Sequence, residues 1–103
     1  MAAYQERYPR GTAVTIADHD ALLEFQRTWK YHHPIEDKQL RHAGRVALVE
    51  EAGFYHGGDV LYALVGVPGT WHEDCLRQAT SAEVASSPPQ DPGLLAKLRR
   101  MLR

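Results

Sequence analysis

Two parts of the chain concentrate the side chains that could bind a ligand or catalyse a reaction. The first is residues 29–34, WKYHHP, and the second pairs residues 53–59, GFYHGGD, with residues 68–75, PGTWHEDC. Together they hold four of the six histidines, both tryptophans and the single cysteine. These residue types supply metal ligands, nucleophiles and aromatic contact surfaces. Both parts are therefore candidates for metal binding, catalysis or partner recognition.

A metal site would need two ligand pairs close together in the fold. His56 and Asp59 form one pair, His72 and Cys75 form another, and twelve residues separate the two pairs. Imidazole, carboxylate and thiolate groups could complete a tetrahedral site for zinc or another transition metal. Alternatively, His56 and Asp59 are turn residues, with Asp59 bonded to its own backbone, and Cys75 packs as a small hydrophobe. Structural zinc sites favour more than one cysteine, so we expect no cofactor and keep zinc as the alternative.

A nucleophilic site would combine a thiolate with an imidazole. The candidates are the single cysteine and three histidines, namely Cys75 with His72, His32 or His33. Cys75 directly precedes Leu76 in a predicted strand, and a cysteine that faces a core is inert. Glu73 and Asp74 are a carboxylate pair, but neighbours on a strand point to opposite faces. We therefore expect no catalytic residue.

Aromatic and histidine side chains could instead form a recognition surface. Grooves lined by aromatic rings bind extended or proline-rich peptides, which lose little entropy on binding. For Trp29 and Trp71 the alternative is burial in the core, and we favour the core for Trp29 because it lies on a helical stripe. The predicted binding residues are Trp29, Tyr31, His32, His33, Tyr55, His56, Asp59, Trp71 and His72.

Periodicity predicts the elements that would position these side chains. Alternating apolar residues predict strands, and the spacing of Leu22, Phe25 and Trp29 predicts a helix capped by Asp18 or Asp20. The predicted elements are a strand over 12–17, a helix over 18–30, a short helix or irregular loop over 35–42 closed by Gly44, strands over 45–50 and 60–65, a connection over 53–59, a turn over 67–70, and a short closing strand at Leu76. The predicted core residues are Val14, Ile16, Val46, Leu48, Leu61 or Tyr62, Leu64 and Trp71.

The order of these motifs resembles an SH3-like barrel and is similar to the β-subunit barrel of nitrile hydratases. The resemblance covers residues 8–78 and lies in Gly11-x-Ala13-Val14-x-Ile16, Ala43-Gly44-Arg45-x-Ala47-x-Val49, Leu61-Tyr62-x-Leu64, Trp71 and Cys75-Leu76. It implies a mostly β fold, a small barrel with a helix inserted in its first long loop, and a tendency to bind or assemble. The metal centre of nitrile hydratases belongs to a cysteine motif of their other subunit, so no catalytic residue is carried over.

The C-terminal part differs from the body in composition and charge. We expect a barrel domain over 1–79, an unstructured Ser/Pro linker over 80–92 and a basic amphipathic helix over 93–103. Residues 1–79 contain eight Lys/Arg and eleven Asp/Glu, a net charge of −3, whereas residues 80–103 contain four and two, a net charge of +2. An acidic body is a poor surface for nucleic acid. The apolar stripe of the predicted helix consists of Leu94, Leu95, Leu98, Met101 and Leu102.

Bulk properties limit the class of protein further. The chain has 103 residues and one cysteine, which excludes an intramolecular disulfide. It shows neither a signal peptide nor an apolar run long enough for a transmembrane segment, so we expect a cytoplasmic protein. The favoured function is a small non-enzymatic binding or assembly module that recognises a protein partner or self-associates. The alternative is a metal- or cofactor-dependent small enzyme, or an accessory subunit of a nitrile hydratase-like enzyme.

Overall fold

The structure is a computed structural model that describes residues 6–55 and 58–86. Within these residues the fold is mostly β, with short helices between and after the strands. In chain order the elements are β1 (Ala13–Ile16), α1 (His19–Thr28), α2 (Asp37–Leu40), β2 (Val46–Phe54), β3 (Val60–Leu64), β4 (Val67–His72), a 3₁₀ helix (Glu73–Cys75), β5 (Leu76–Gln78) and α3 (Ser81–Ser86). None of the helices in this part of the chain is long and apolar enough to cross a membrane.

The described strands form one antiparallel sheet with the order β4-β3-β2-β1-β5. Strand β2 links its two halves, because residues 46–48 pair with β1 and residues 49–54 pair with β3. The register shifts between Val49 and Glu51, and such a bulge bends the strand and increases its twist. No pairing within the described residues joins β4 to β5. The sheet is therefore open, and the closed barrel stays a prediction.

The main core cluster contains the large aromatic side chains of Trp71 and Tyr62. Both aromatic side chains are fully buried, and every residue of the predicted core is buried as well. Val46, Leu48 and Leu61 are buried away from the main cluster. Tyr8 was not predicted to be buried, but its ring packs against Tyr62. The cluster consists of Tyr8, Val14, Ile16, Leu22, Ile35, Ala47, Val49, Tyr62, Leu64, Val67, Trp71, Cys75 and Leu76.

Helix α1 forms where the sequence predicts it. Asp18 is the N-cap, and its Oδ1 accepts a hydrogen bond from Ala21 N at 2.8 Å, which satisfies one of the unpaired donors of the first turn. Leu22 is fully buried in the core, and Phe25 packs against the core as a partly buried residue. The stripe therefore fixes the helix on the sheet and brings Trp29, its C-cap residue, to the same side as β4.

Two predicted connections are wrong in their positions. Gly53 and Phe54 belong to the end of β2, and the turn between β3 and β4 lies at Val65 and Gly66, with Gly66 at φ +74°. The predicted turn over residues 67–70 is part of strand β4. Proline is tolerated there because β4 lies at the edge of the described sheet, where the missing N–H breaks no ladder bond.

Helix α2 fastens the loop after α1 to β4. Its buried residue Gln39 accepts a hydrogen bond from Glu36 N at 2.8 Å and donates from Nε2 to Thr70 O at 3.1 Å. Gly44 follows α2 at φ +77°, a conformation that favours glycine. For residues 35–42 the sequence allowed either a short helix or an irregular loop. The structure has the short helix, and the predicted glycine follows it.

The predicted unstructured linker is wrong for its first part, because residues 81–86 form α3. Thr80 and Glu83 form a capping box, in which Thr80 Oγ1 accepts from Glu83 N at 3.1 Å and Glu83 Oε1 accepts from Thr80 N at 2.9 Å. Arg77 on β5 also pairs with Glu83. The rest of the linker and the amphipathic helix over 93–103 lie outside the described residues.

Candidate functional site

The loop after α1 is folded tightly against β4 by hydrogen bonds from two rings. Trp29 Nε1 donates to His32 O at 2.7 Å, and His72 Nε2 lies 2.7 Å from His33 O. His33 has φ +49°, a left-handed conformation that costs free energy for a residue with a Cβ. The two ring hydrogen bonds hold the loop in this conformation. The WKYHHP sequence therefore produces an ordered turn.

His32 lies at the centre of a stack of polar and aromatic groups. Its Nε2 lies 2.7 Å from Asp59 Oδ2, and its Nδ1 lies 2.9 Å from His33 Nδ1. Its ring stacks on Tyr55 with centroids 3.7 Å apart and an angle of 22° between the planes. When His32 is neutral and donates to Asp59, its Nδ1 is an acceptor, so the hydrogen of the second bond belongs to His33. Asp59, in the connection between β2 and β3, thus accepts a hydrogen bond from His32 and fixes the tautomer of its ring.

His72 ends β4 beneath this stack and is 4 % exposed. Its ring centroid lies 4.9 Å from both Phe25 and Trp29, and 5.6 Å from His32. Burial is the main cause that lowers the pKa of His72 below its usual value. A neutral ring whose Nε2 faces a carbonyl must donate from Nε2, because a carbonyl only accepts. The unprotonated nitrogen is therefore Nδ1.

A cleft of about 130 Å³ opens between α1, β3 and the 3₁₀ helix. We call it the acidic aromatic cleft, because aromatic rings and carboxylates share its lining. A depression of about 440 Å³ elsewhere, near Glu50, is larger but has no aromatic residue in its lining. The acidic aromatic cleft is lined by Phe25, Trp29, Gly58, Asp59, Val60, His72, Glu73 and Asp74.

Three of these lining residues were missed or misread from the sequence. The helical stripe predicts that Phe25 faces the core. In the structure it packs against the core and also lines the cleft. Glu73 and Asp74 were predicted to point apart as neighbours on a strand. They lie in a 3₁₀ helix instead, so the period-two rule does not apply and both line the same cleft.

The predicted binding residues divide into three groups by position. Tyr31, 71 % exposed, packs edge-on against Trp29 with centroids 5.0 Å apart, and Tyr55 is exposed on the other side of His32. Trp71 is fully buried in the core and is not part of this surface. His56 lies outside the described residues. The structure brings together Trp29, Tyr31, His32, His33, Tyr55, Asp59 and His72, which we call the histidine–aromatic face.

The candidate metal and catalytic residues can be compared only in part, because His56 lies outside the described residues. The described residues contain no group of three or more histidine, cysteine or acidic side chains that could hold a metal ion. Cys75 is 2 % exposed, and burial raises the pKa of its thiol to about 12. A thiol with that pKa is protonated near neutral pH, whereas a nucleophile must be a thiolate. Cys75 therefore contributes to the core.

Comparison of the chain with protein-family models, with curated proteins and with solved structures finds no match. The candidate function is therefore argued from the geometry of the histidine–aromatic face and the acidic aromatic cleft.

Proposed function

We propose that this domain is a binding module that recognises a segment of a protein partner through the histidine–aromatic face. The observation that carries the proposal is the layered arrangement of rings. The lower rings, Trp29, His32 and His72, are each held by a hydrogen bond of 2.7 Å. Tyr31 and Tyr55 are exposed above them. A surface whose rings are already fixed loses little conformational entropy on binding.

The aromatic character of the face supports a protein segment as the ligand. Tyrosine and tryptophan are enriched at protein interfaces because they offer large apolar area together with a polar atom. In this face the exposed tyrosines flank a polar centre formed by His32, His33 and Asp59. An extended peptide could place apolar groups on the tyrosines and hydrogen-bonding groups on the centre.

We further propose that the sheet has the SH3-like barrel fold. The strand order β4-β3-β2-β1-β5 and the bulge in β2 support this proposal, because a long bent central strand is how a small sheet curls toward closure. Helix α1 and the loop after it would then be the insertion in the first long loop. In this arrangement the histidine–aromatic face lies where the insertion meets β4, on one rim of the barrel.

A selection from a library of short random peptides tests the binding function. The full chain is immobilised, and enriched peptides are measured in solution with the wild type, with Tyr31→Ala and with the control Leu23→Ala. Leu23 is also an exposed apolar residue of this part of the chain, but it is not in the face. We expect Tyr31→Ala to weaken binding about tenfold, equivalent to about 1.4 kcal/mol, and Leu23→Ala to leave it unchanged. The proposal is wrong if no peptide is enriched, or if both variants bind the enriched peptides as the wild type does.

A further inference from the structure

The acidic aromatic cleft offers hydrogen-bond acceptors that no donor of the described residues uses. His72 lines the cleft, and its only hydrogen bond within the described residues is the one from Nε2 to His33 O. Its Nδ1 is therefore an unprotonated acceptor without a partner, on a side chain that is almost fully buried. This nitrogen is not among the buried atoms of the described residues that lack a partner, so it opens to the cleft, where a ligand can donate a hydrogen bond to it in place of water.

The carboxylates of the cleft have unequal roles. Glu73 is already engaged, since its Oε2 accepts from Tyr62 Oη at 2.6 Å and from Arg7 N at 3.2 Å. Asp59 uses Oδ2 for His32, which leaves Oδ1 for a ligand. Asp74 is exposed and makes no hydrogen bond within the described residues. Asp59 and Asp74 are therefore the carboxylates that can still accept.

The positive charge near these carboxylates is small. Arg7 forms an ion pair with Glu73, but the two charged atoms are 3.7 Å apart and the arginine side chain is 68 % exposed. An ion pair with one exposed partner at this distance is weak, although the Glu73 side chain itself is only 18 % exposed. A cation that enters the cleft would therefore meet two carboxylates, Asp59 and Asp74, that can still accept hydrogen bonds.

The walls of the cleft favour a flat cation. Phe25 and Trp29 stack with centroids 5.4 Å apart and an angle of 15° between the planes, and both line the cleft. Indole faces attract cations through their quadrupole. A guanidinium is planar, stacks on aromatic faces and carries five donors. Because Phe25 covers one face of the Trp29 ring, a guanidinium would pack against the part of these rings that lines the cleft and donate to two acceptors at once, which an ammonium does less well.

We infer that the acidic aromatic cleft receives an arginine side chain of the partner, held by Asp59, Asp74 and His72 Nδ1 against the Trp29 ring. This inference rests on the proposed function, because it names the chemistry of the partner that the histidine–aromatic face binds. The cleft lies beside Asp59 and His72, which belong to both sites. The arginine is thus the specific anchor, and the exposed tyrosines contact its neighbours in the peptide.

A titration with a single-residue probe tests the cleft directly. N-acetyl-arginine amide is added to the isotope-labelled full chain, and the indole N–H signals of the two tryptophans are followed by NMR. We expect the Trp29 signal to move and the signal of the buried Trp71 to stay. N-acetyl-citrulline amide, which has the same shape without the charge, should bind at least about tenfold more weakly, because a charged donor is stronger than a neutral one. Equal binding of the two probes overturns the inference.

Variants at the exposed carboxylate exclude an unspecific charge effect. Asp74→Asn and Glu50→Gln each remove one exposed negative charge, but only Asp74 lines the cleft. We expect Asp74→Asn to weaken binding of the arginine probe about tenfold and Glu50→Gln to change it less than about twofold, the effect of screened charge at a distance. Equal effects of the two variants contradict the inference. The same is true if zinc ions, and not the arginine probe, shift the Trp29 and His72 signals.

The selected peptides separate this inference from the proposed function. If they contain an arginine whose replacement by citrulline abolishes binding, the inference is supported. If peptides bind through the face but require no arginine, the inference is wrong and the binding function stands. If the arginine probe binds in the cleft but no peptide is enriched, the cleft chemistry is supported and the proposed function is wrong.

Discussion

Trp71 and His72 are neighbours in β4 with different environments, and they show at the scale of single residues how the site is built. Trp71 is fully buried, and its indole N–H has no hydrogen-bond partner within the described residues. His72 also loses nearly all contact with solvent, but it lines the cleft. The alternation of side chains along a strand explains the difference. The sequence predicted both residues for a binding face, and only His72 lies there.

Replacement of Trp71 tests its place in the core. Trp71→Ala removes a large side chain from a packed interior, and we expect it to lower the free energy of unfolding by about 3–5 kcal/mol. Tyr31→Ala, at an exposed ring, should change it by less than about 0.5 kcal/mol. Urea denaturation followed by circular dichroism measures both values. A loss below about 1 kcal/mol for Trp71→Ala would contradict a core position.

Two histidines should make the stability depend on pH. Burial is the largest cause that lowers the pKa of both His42 and His72 below the usual 6.5. Below pH 6.5 the unfolded chain therefore binds protons more readily than the folded chain does, and stability falls as the pH decreases from there toward the folded-state pKa values. Glu83, whose pKa is lowered to about 2 mainly by Arg77, contributes only below its usual 4.5.

Single and double variants separate the two histidines. We expect His72→Gln and His42→Gln each to reduce the loss of unfolding free energy between about pH 7 and about pH 5, and the double variant to reduce it further. Urea denaturation at several pH values measures the slope. The assignment is wrong for any histidine whose replacement leaves that slope unchanged.

At the scale of elements, local sequence signals predicted most of the helices and strands. They failed where turn-forming residues lie in a strand that is held by contacts distant in sequence. The cap at Asp18 and the stripe of Leu22, Phe25 and Trp29 were enough to predict α1. The sequence PG at Pro68 and Gly69 indicates a turn, yet both residues lie in an edge strand whose course depends on contacts with α2. Such contacts are distant in sequence, so periodicity could not predict them.

A matched pair of glycine variants tests this contact between β4 and α2. Gly69 has φ +103°, and a Cβ added there would lie 2.8 Å from Gln39 Nε2. We expect Gly69→Ala to lower the free energy of unfolding by about 1–3 kcal/mol, from backbone strain and displacement of Gln39. Gly53→Ala is the control, because a Cβ at Gly53 would meet nothing within 4 Å, and it should leave the free energy of unfolding unchanged or raise it by up to about 1 kcal/mol. Equal thermal unfolding temperatures for both variants would contradict the contact.

At the scale of the whole molecule, the site is assembled from segments far apart in the chain. Trp29 and His32 follow α1, Asp59 precedes β3 and His72 ends β4, yet hydrogen bonds and ring contacts join them. From composition alone, the sequence pointed to the segments rich in histidine and aromatic residues, and these segments contain the residues of the histidine–aromatic face. It could not predict that Asp59 pairs with His32, or that Asp74 lines the same cleft. Both depend on how the sheet brings the connections together.

Truncation of the chain tests which part of the molecule folds on its own. The core cluster extends from Tyr8 to Leu76, and α3 adds an exposed ion pair between Arg77 and Glu83, a type that contributes little to stability. A chain that ends after Ser86 lacks the leucine-rich segment over 93–103, for which the sequence predicts a basic amphipathic helix. We expect this shortened chain to unfold cooperatively within a few degrees of the full chain, since it keeps every core residue of the part that the structure describes, and to differ from it only in association measured by sedimentation velocity. If it fails to fold, residues 87–103 complete the core, and the domain described here is not the independent folding unit.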